Sequence, residues 1–161
     1  NVHENFLTIN SGSKQGVKPD MGVINSLGIV GIIDDVSANY ATVISILNTQ
    51  SQINAKIKNS DHFGTLNWDG KNTGFVQLID VPRLASIRKG DTIVTGGQSV
   101  IFPENIGIGI IDKIYIPSDK NHYYRINVKL FNDMTNLGHV YIIKTENSEE
   151  IKKLENQRKD E

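Results

Sequence analysis

Apolar and polar residues alternate with a period of two in almost every stretch of this chain that is not turn material. In QINAKIK (Gln52–Lys58), Ile53, Ala55 and Ile57 fall on one side and Asn54, Lys56 and Lys58 on the other. In YRINVKLF (Tyr124–Phe131), Tyr124, Ile126, Val128 and Leu130 oppose Arg125, Asn127 and Lys129. A half-buried strand gives this pattern because successive side chains leave opposite faces of the pleat. Alternation or β-branched runs predict further strands at Phe6–Asn10, Met21–Ser26, Ile29–Val36, Ala41–Leu47, Phe63–Trp68, Gly74–Ile79, Thr92–Thr95, Ile106–Ile116 and Val140–Thr145. Between them lie Ser-Gly-Ser, Lys-Pro-Asp, Asp-Gly-Lys-Asn and Pro-Ser-Asp-Lys-Asn, all turn chemistry. Strands recur roughly every ten residues, the rhythm of small barrels and sandwiches. The fold class is therefore all-β with little helix. Pro82–Lys89 suits one short turn, and Glu146–Glu161 is a polar tail anchored only by Ile151 and Leu154. Such a tail is either frayed or a helix that meets a partner.

Composition narrows the function. Of 161 residues, 38% are hydrophobic and 22% charged, which fits a folded soluble domain. The net charge is −1 with no basic stripe, so no nucleic-acid partner is expected. There is no cysteine, which removes disulfides, thiolate metal sites and cysteine nucleophiles. No run of about 18 apolar residues is present. The chain opens on Asn1 rather than Met, which predicts a piece of a longer or processed product from which an anchor or a signal peptide has been cut away.

An internal repeat is visible. Val17–Ile24 (VKPDMGVI) aligns with Ile87–Val94 (IRKGDTIV) at an offset of 70, and Val30–Asp34 (VGIID) aligns with Ile108–Asp112 (IGIID) at an offset of 78. Each copy has a basic turn, a strand, and then a glycine-kinked apolar strand ending in Asp. The second copy carries eight extra residues, the difference between the two offsets. Chance similarity in a sequence rich in Ile, Gly and Asp is the competing explanation. A genuine repeat predicts two related small barrels, each with its own corner-forming glycines. The expected division is 1–60 plus 123–146 for the first barrel, 61–122 for a second inserted within it, and 147–161 for the tail.

The glycine-rich run KGDTIVTGGQSVIFPENIGIGIIDKI (Lys89–Ile114) raises the question of phosphate binding. A phosphate loop needs a strand, a glycine turn and then a helix whose amides meet the anion. Here the residues after Gly109 are β-branched without helical period, and no Gly-Lys-Ser or Gly-Lys-Thr occurs. The run reads as strand with kinks and turns, as do Gly12, Gly16, Gly28 and Gly31 earlier and Gly90, Asp91, Gly96, Pro103, Gly107 and Gly109 within it. Catalysis is poorly supported. His3, His62, His122 and His139 stand in no general-base motif, Ser99 has no nucleophile elbow, and the aspartates fall at turns. No catalytic, cofactor or metal residues are expected.

Six residues stand out as partner contacts. Val100, Ile101 and Phe102 lie in the eight-residue insertion, with Pro103 fixing the corner behind them. Trp68, Tyr123 and Tyr124 stand at hairpin mouths, and such aromatics are enriched at interface hot spots. The competing reading is that all six are packing residues. Exposed strand edges offer a second route, through strand addition.

These landmarks together resemble the β domain of the bacterial rod-shape-determining MreC family. LTINSGSKQGVKPDMGVINSLGIVGIIDDVSANYATVISI, KGDTIVTGG and IFPENIGIGIIDKI match, in order, the family's I-N-x-G-x-x-x-G-V, M-x-V, G-(I/L)-V-G-x-(V/I), G-D-x-(V/I)-V-T-S-G and (I/F)-F-P-x-G-I-P-(V/I)-G. Gly96 replaces the usual serine, Asn105 a glycine and Gly107 a proline, all substitutions in turn chemistry.

The resemblance implies two small six-stranded β-barrels resembling chymotrypsin-like proteases in shape but not active. It also implies a periplasmic domain of a single-pass inner-membrane protein, with Asn1–Asn5 leaving a coiled coil. Its function would be a non-catalytic scaffold of cell elongation. Implied partners are the elongation-specific penicillin-binding transpeptidase, MreD, other elongation proteins, and further copies of the chain as dimer or filament. Two alternatives remain at this point: a peptidoglycan-binding module stacking sugars on Trp68 and the tyrosines, and a barrel hydrolase.

Overall fold

The computed structural model describes residues 4–145 and 148–159; residues 1–3, 146–147 and 160–161, which include parts of the expected first barrel and tail, lie outside the described residues. Eleven strands form where alternation placed them: β1 Glu4–Ile9, β2 Gly22–Ile24, β3 Ile29–Val36, β4 Ala41–Asn48, β5 Ile53–Ile57, β6 Phe63–Asn67, β7 Phe75–Pro82, β8 Thr92–Thr95, β9 Gly107–Tyr115, β10 Tyr123–Leu130 and β11 Tyr141–Ile143. Among the described residues one α-helix, α1, spans Ser148–Lys159, and a 3-10 turn covers Ser13–Gln15. In β10, Ile126, Val128 and Leu130 are buried while Arg125 and Lys129 face water, as the period of two requires. Glu4 and Asn5 stand in β1, and the rest of the expected exit from a coiled coil, residues 1–3, lies outside the described residues.

The strands form two bodies. One is a closed barrel in the order β10-β7-β6-β5-β8-β9, and the other a five-stranded sheet in the order β1-β4-β3-β2-β11. Every pairing is antiparallel. The expectation of two six-stranded barrels thus holds for one body only. The expected boundaries also move. β5 and β10 were assigned to the first body, but β5 pairs with β6 and β8, and β10 with β7 and β9, so the barrel runs from Ile53 to Leu130. β11 then returns to pair with β2.

The repeat is visible bond by bond. In the first hairpin Gly22, Val23 and Ile24 face Ile32, Gly31 and Ile29; in the second, Thr92, Ile93 and Val94 face Ile110, Gly109 and Gly107. These are the same partners at offsets of 70 and 78, with a bulge at the same step. The flanking backbone bonds repeat too. Asp20 N–H donates to Ile33 O at 2.9 Å and Gly90 N–H to Ile111 O at 2.8 Å. Asp20 and Gly90 both have left-handed φ, at 66° and 91°. The correspondence continues into the next strands. Gly31, Ile32 and Ile33 face Ser45, Ile44 and Val43 of β4, as Gly109, Ile110 and Ile111 face Leu130, Lys129 and Val128 of β10.

The glycines in these strands allow backbones to touch. A Cβ on Gly31 would collide with Ile44 O and one on Gly109 with Lys129 O, the equivalent carbonyl. Gly31, Gly107 and Gly109 are therefore strand positions of close approach rather than turns.

One apolar cluster fills the barrel and takes in Ile29, Ile46 and Leu47 from the sheet, so the two bodies pack as one. A second cluster of Val17, Val23, Val30, Ile33, Ala41 and Val43 lies against the sheet alone. A buried amide clasps them. Asn132 Nδ2 donates to Ile29 O at 3.2 Å, and Asn25 Nδ2 donates to Asn132 Oδ1 at 2.6 Å.

Candidate interaction surface

The eight-residue insertion lies at the seam between sheet and barrel. Its base is fixed by Thr95, whose hydroxyl donates to Pro103 O at 2.6 Å and accepts from Ile106 N–H at 2.9 Å. Asn105 turns the chain with φ of 71°, a conformation that asparagine tolerates better than most residues. Lys56, buried despite its place in an alternating strand, pairs with Glu104 and holds the loop to β5. Gly96 leaves room for Asn54 Oδ1, which a Cβ would meet.

Within the loop, Phe102 is 3% exposed and its ring lies over Gly22 of β2. Trp68 is 2% exposed and donates from Nε1 to Asn72 O at 3.0 Å, inside the β6–β7 connection. Both are packing residues rather than surface anchors, a correction to their expected role: each ring closes the end of a core that small strands leave open. Val100 and Ile101 are half-buried. Ile101 lines two adjoining grooves of about 230 and 430 Å³, which share Ile32 and Gln52. Tyr124 is half-buried against the barrel core, while Tyr123 is 49% exposed.

Tyr123 has company that the sequence did not reveal. It faces Pro82, where β7 ends and β10 begins, and β9 ends at Tyr115 on the same rim. Leu84 is 98% exposed just beyond β7, and Tyr115 and Ile116 are also exposed. Arg83 ties the rim together: its N–H donates to His122 O at 2.9 Å, and its guanidinium to Asn121 O at 3.2 Å. Four large apolar side chains thus crown one end of the barrel. Single exposed hydrophobics are ordinary, whereas their grouping on one rim makes this the candidate interaction surface. The signal available in sequence was Leu84 itself, a leucine in a segment with no strand or helix period.

The turn residues act by several means. Gly16, Gly28 and Gly90 have positive φ. Gly12 passes so close to Ser37 and Ala38 that any side chain would collide. Asp91 accepts from Arg88 N–H at 2.8 Å. A polar cleft of about 740 Å³ on the barrel wall mixes Asp69 and Asp112 with Lys71, Lys113 and Arg125. Among the described residues no three histidine or carboxylate side chains are placed to hold a metal, and no helix is long and apolar enough to cross a membrane.

A family model described as the barrel core of rod shape-determining protein MreC matches residues 1–144. The cell shape-determining protein MreC of Listeria monocytogenes is 32% identical over 140 residues, covering 84% of this chain and 47% of that protein. The corresponding protein of Bacillus subtilis is 29% identical over 148 residues, covering 85% and 50%. The chain spans from 33% to 50% of the length of the curated relatives it matches. Among solved structures, MreC of Listeria monocytogenes superposes with a TM-score of 0.81 at 30% identity, covering 88% of this chain and 68% of that one. The MreC chain in a complex with penicillin-binding protein PBP2 from Helicobacter pylori superposes with a TM-score of 0.69 at 17% identity, covering 91% and 90%.

Proposed function

This chain belongs to the MreC family of rod shape-determining proteins, and from that premise we propose that it is a non-catalytic docking module for cell-wall synthesis proteins. The observation that carries this reading is the crown of Leu84, Tyr115, Ile116 and Tyr123, held on a closed barrel. A closed barrel has no free edge, so it presents side chains in fixed positions and loses little entropy on binding. The complex between penicillin-binding protein PBP2 and MreC from Helicobacter pylori supports a penicillin-binding transpeptidase as the class of partner. Ile101, lining its grooves at the seam, is a second contact, with Val100 beside it. On this reading the module faces the periplasm, tethered by a membrane segment outside this chain, and MreD and further copies of the chain are additional partners. Burial of Trp68 weighs against a sugar-binding module, whose stacking platform it would have been.

The test is titration of the transpeptidase ectodomain against Leu84→Ser with Tyr123→Ser, and separately against Ile101→Ser. Hot-spot loss at the crown weakens binding by about tenfold or more. Unchanged affinity of the crown variant, with its thermal unfolding intact, refutes the assignment.

A further inference from the structure

The open sheet is the closed barrel with one strand left out. At the offsets established above, β4, β3 and β2 correspond to β10, β9 and β8. The outer pairs correspond too. Phe6, Leu7 and Thr8 of β1 face Ile44, Val43 and Thr42, as Phe75, Val76 and Gln77 of β7 face Lys129, Val128 and Asn127. Tyr141 and Ile142 of β11 face Ile24 and Val23, as Lys56 and Ile57 of β5 face Val94 and Ile93. The order β1-β4-β3-β2-β11 is therefore β7-β10-β9-β8-β5. What remains is β6, which closes the barrel by pairing antiparallel with β5 on one side and β7 on the other.

Burial shows the same gap. Far from it, equivalent residues are alike: Val23 and Ile93, Ile33 and Ile111, and Val43 and Val128 are all fully buried. Beside it they differ. Val76 and Leu78 of β7 are fully buried, whereas their counterparts Leu7 and Ile9 are only partly covered. Ala55 and Ile57 are buried, whereas Val140 and Ile142 are partly covered. Met134 and Leu137 reach the same cluster from the loop after β10 but form no ladder with β1 or β11.

We propose that the edges of β1 and β11 form a slot that takes one extended strand from a partner protein, antiparallel to both. β6 supplies the template. Its Gly64 and Leu66 point inward, and a Cβ on Gly64 would stand 2.6 Å from Ile79 O. The incoming segment is thus about five residues long, with a small residue and then a Leu-sized apolar residue, two apart, facing the core. Transferred register sets the Leu-like residue opposite Ile9 and the small one opposite Val140.

The occupant must be unpaired on both sides, a condition that an extended segment of a partner protein meets. Each edge strand of a second copy already has one neighbour and completes only one side of the slot. Among the described residues, those at the β6 offset are Ser148 onward, which are helical in α1. This extends the docking-module reading to a surface apart from the barrel crown, and either can fail without the other.

The probe is a synthetic peptide carrying this chain's own residues 61–68, DHFGTLNW, added to the full chain and followed by amide hydrogen exchange. Exchange in β1 and β11 is expected to slow by about tenfold or more, with β8 and β9 unchanged, and a peptide with Asp at Gly64 and Lys at Leu66 has no effect. Unchanged exchange in β1 and β11 overturns the proposal, as does protection confined to β5 and β7. Protection that rises with protein concentration alone, with dimers in sedimentation, also overturns it by making the slot homotypic. A covalent version is independent of peptide affinity. Ser148→Phe, Glu149→Gly, Glu150→Thr, Ile151→Leu and Lys152→Asn together place FGTLN at the β6 offset. The thermal midpoint is then expected to rise by about 5 °C or more; an intact fold with β1 and β11 still unprotected refutes the slot.

Discussion

Phe102 was expected to be a partner contact and is instead part of the seam, and a double-mutant cycle with Gly22 measures the difference. The ring is 3% exposed, and its Cε1 lies 2.7 Å from where a Cβ on Gly22 would stand. Phe102→Ala removes a buried ring and leaves a cavity between β2 and the barrel, at a cost of about 3–5 kcal/mol. For a chain of this size that is a fall of about 6–20 °C in the thermal midpoint. Gly22→Ala pushes a methyl into the ring and costs about 1–3 kcal/mol by overpacking. With both changes the methyl enters the vacated space. The carbonyl of Ile101, 2.9 Å from the same point, stays and keeps part of the second penalty in place. The double variant should therefore be about 1 kcal/mol more stable than the sum of the single effects. Urea unfolding, with m-values checked for constancy, gives all four corners of the cycle. Additivity within about 0.5 kcal/mol would mean that ring and strand do not share that space, and the seam assignment fails. The cycle also protects the binding test. Ile101→Ser reports on a half-buried groove residue, whereas a Phe102 variant confuses lost binding with lost fold.

The Asn132 clasp is the second seam element. Asn132→Ala removes the buried side-chain donor to Ile29 O and one of the two acceptors of the half-buried Asn25 amide, which keeps Leu137 O. Unfolding free energy should therefore fall by about 1–3 kcal/mol, and a loss below about 0.5 kcal/mol refutes the clasp. In the same loop, the Thr135 hydroxyl and then the Thr135 N–H donate to Asp133 and hold its carboxyl below its ordinary value. An acid depressed by folding contributes above its unfolded pKa and loses that contribution as pH falls through the folded one, so this turn should loosen on acidification. Thr135→Val should raise the Asp133 titration midpoint in a carboxyl NMR titration, and an unmoved midpoint excludes the hydroxyl as the main cause.

Alternation made the strands legible, and the glycine and Asp landmarks made one hairpin of the repeat legible, because both are local. Gly31 and Gly109 recur since a carbonyl of the next strand touches each of them. The next strands did not show their kinship: Ala41–Ser45 and Ile126–Leu130 share only valine at the matched positions 43 and 128. There the repeat is kept in register and burial, which many residues satisfy. Pairing partners were equally hidden. β5 begins at Ile53, five residues after Asn48 ends β4, and reads as the return of the same hairpin, yet its ladder is with β6 and β8. Period two fixes the face of a strand and leaves its neighbour open. The buried rings had a similar ambiguity, since an aromatic at a hairpin mouth suits both a plug and an anchor until burial decides.

The two bodies differ in closure for a topological reason. In the barrel, β5, β6 and β7 are consecutive, so the closing strand is drawn between its neighbours by two short connections. In the sheet, the counterpart of β5 is β11 and that of β7 is β1, the last and first strands described. No stretch of described chain runs between them to supply a sixth strand. The same unit therefore yields a sealed cylinder where the described chain passes through the closing position, and two edges left unpaired among the described residues where it does not. A sealed wall recognises partners by side chains alone, as the crown of Leu84 and Tyr123 would. Free edges recognise them by backbone, with the half-covered Leu7, Ile9, Val140 and Ile142 setting which sequences fit.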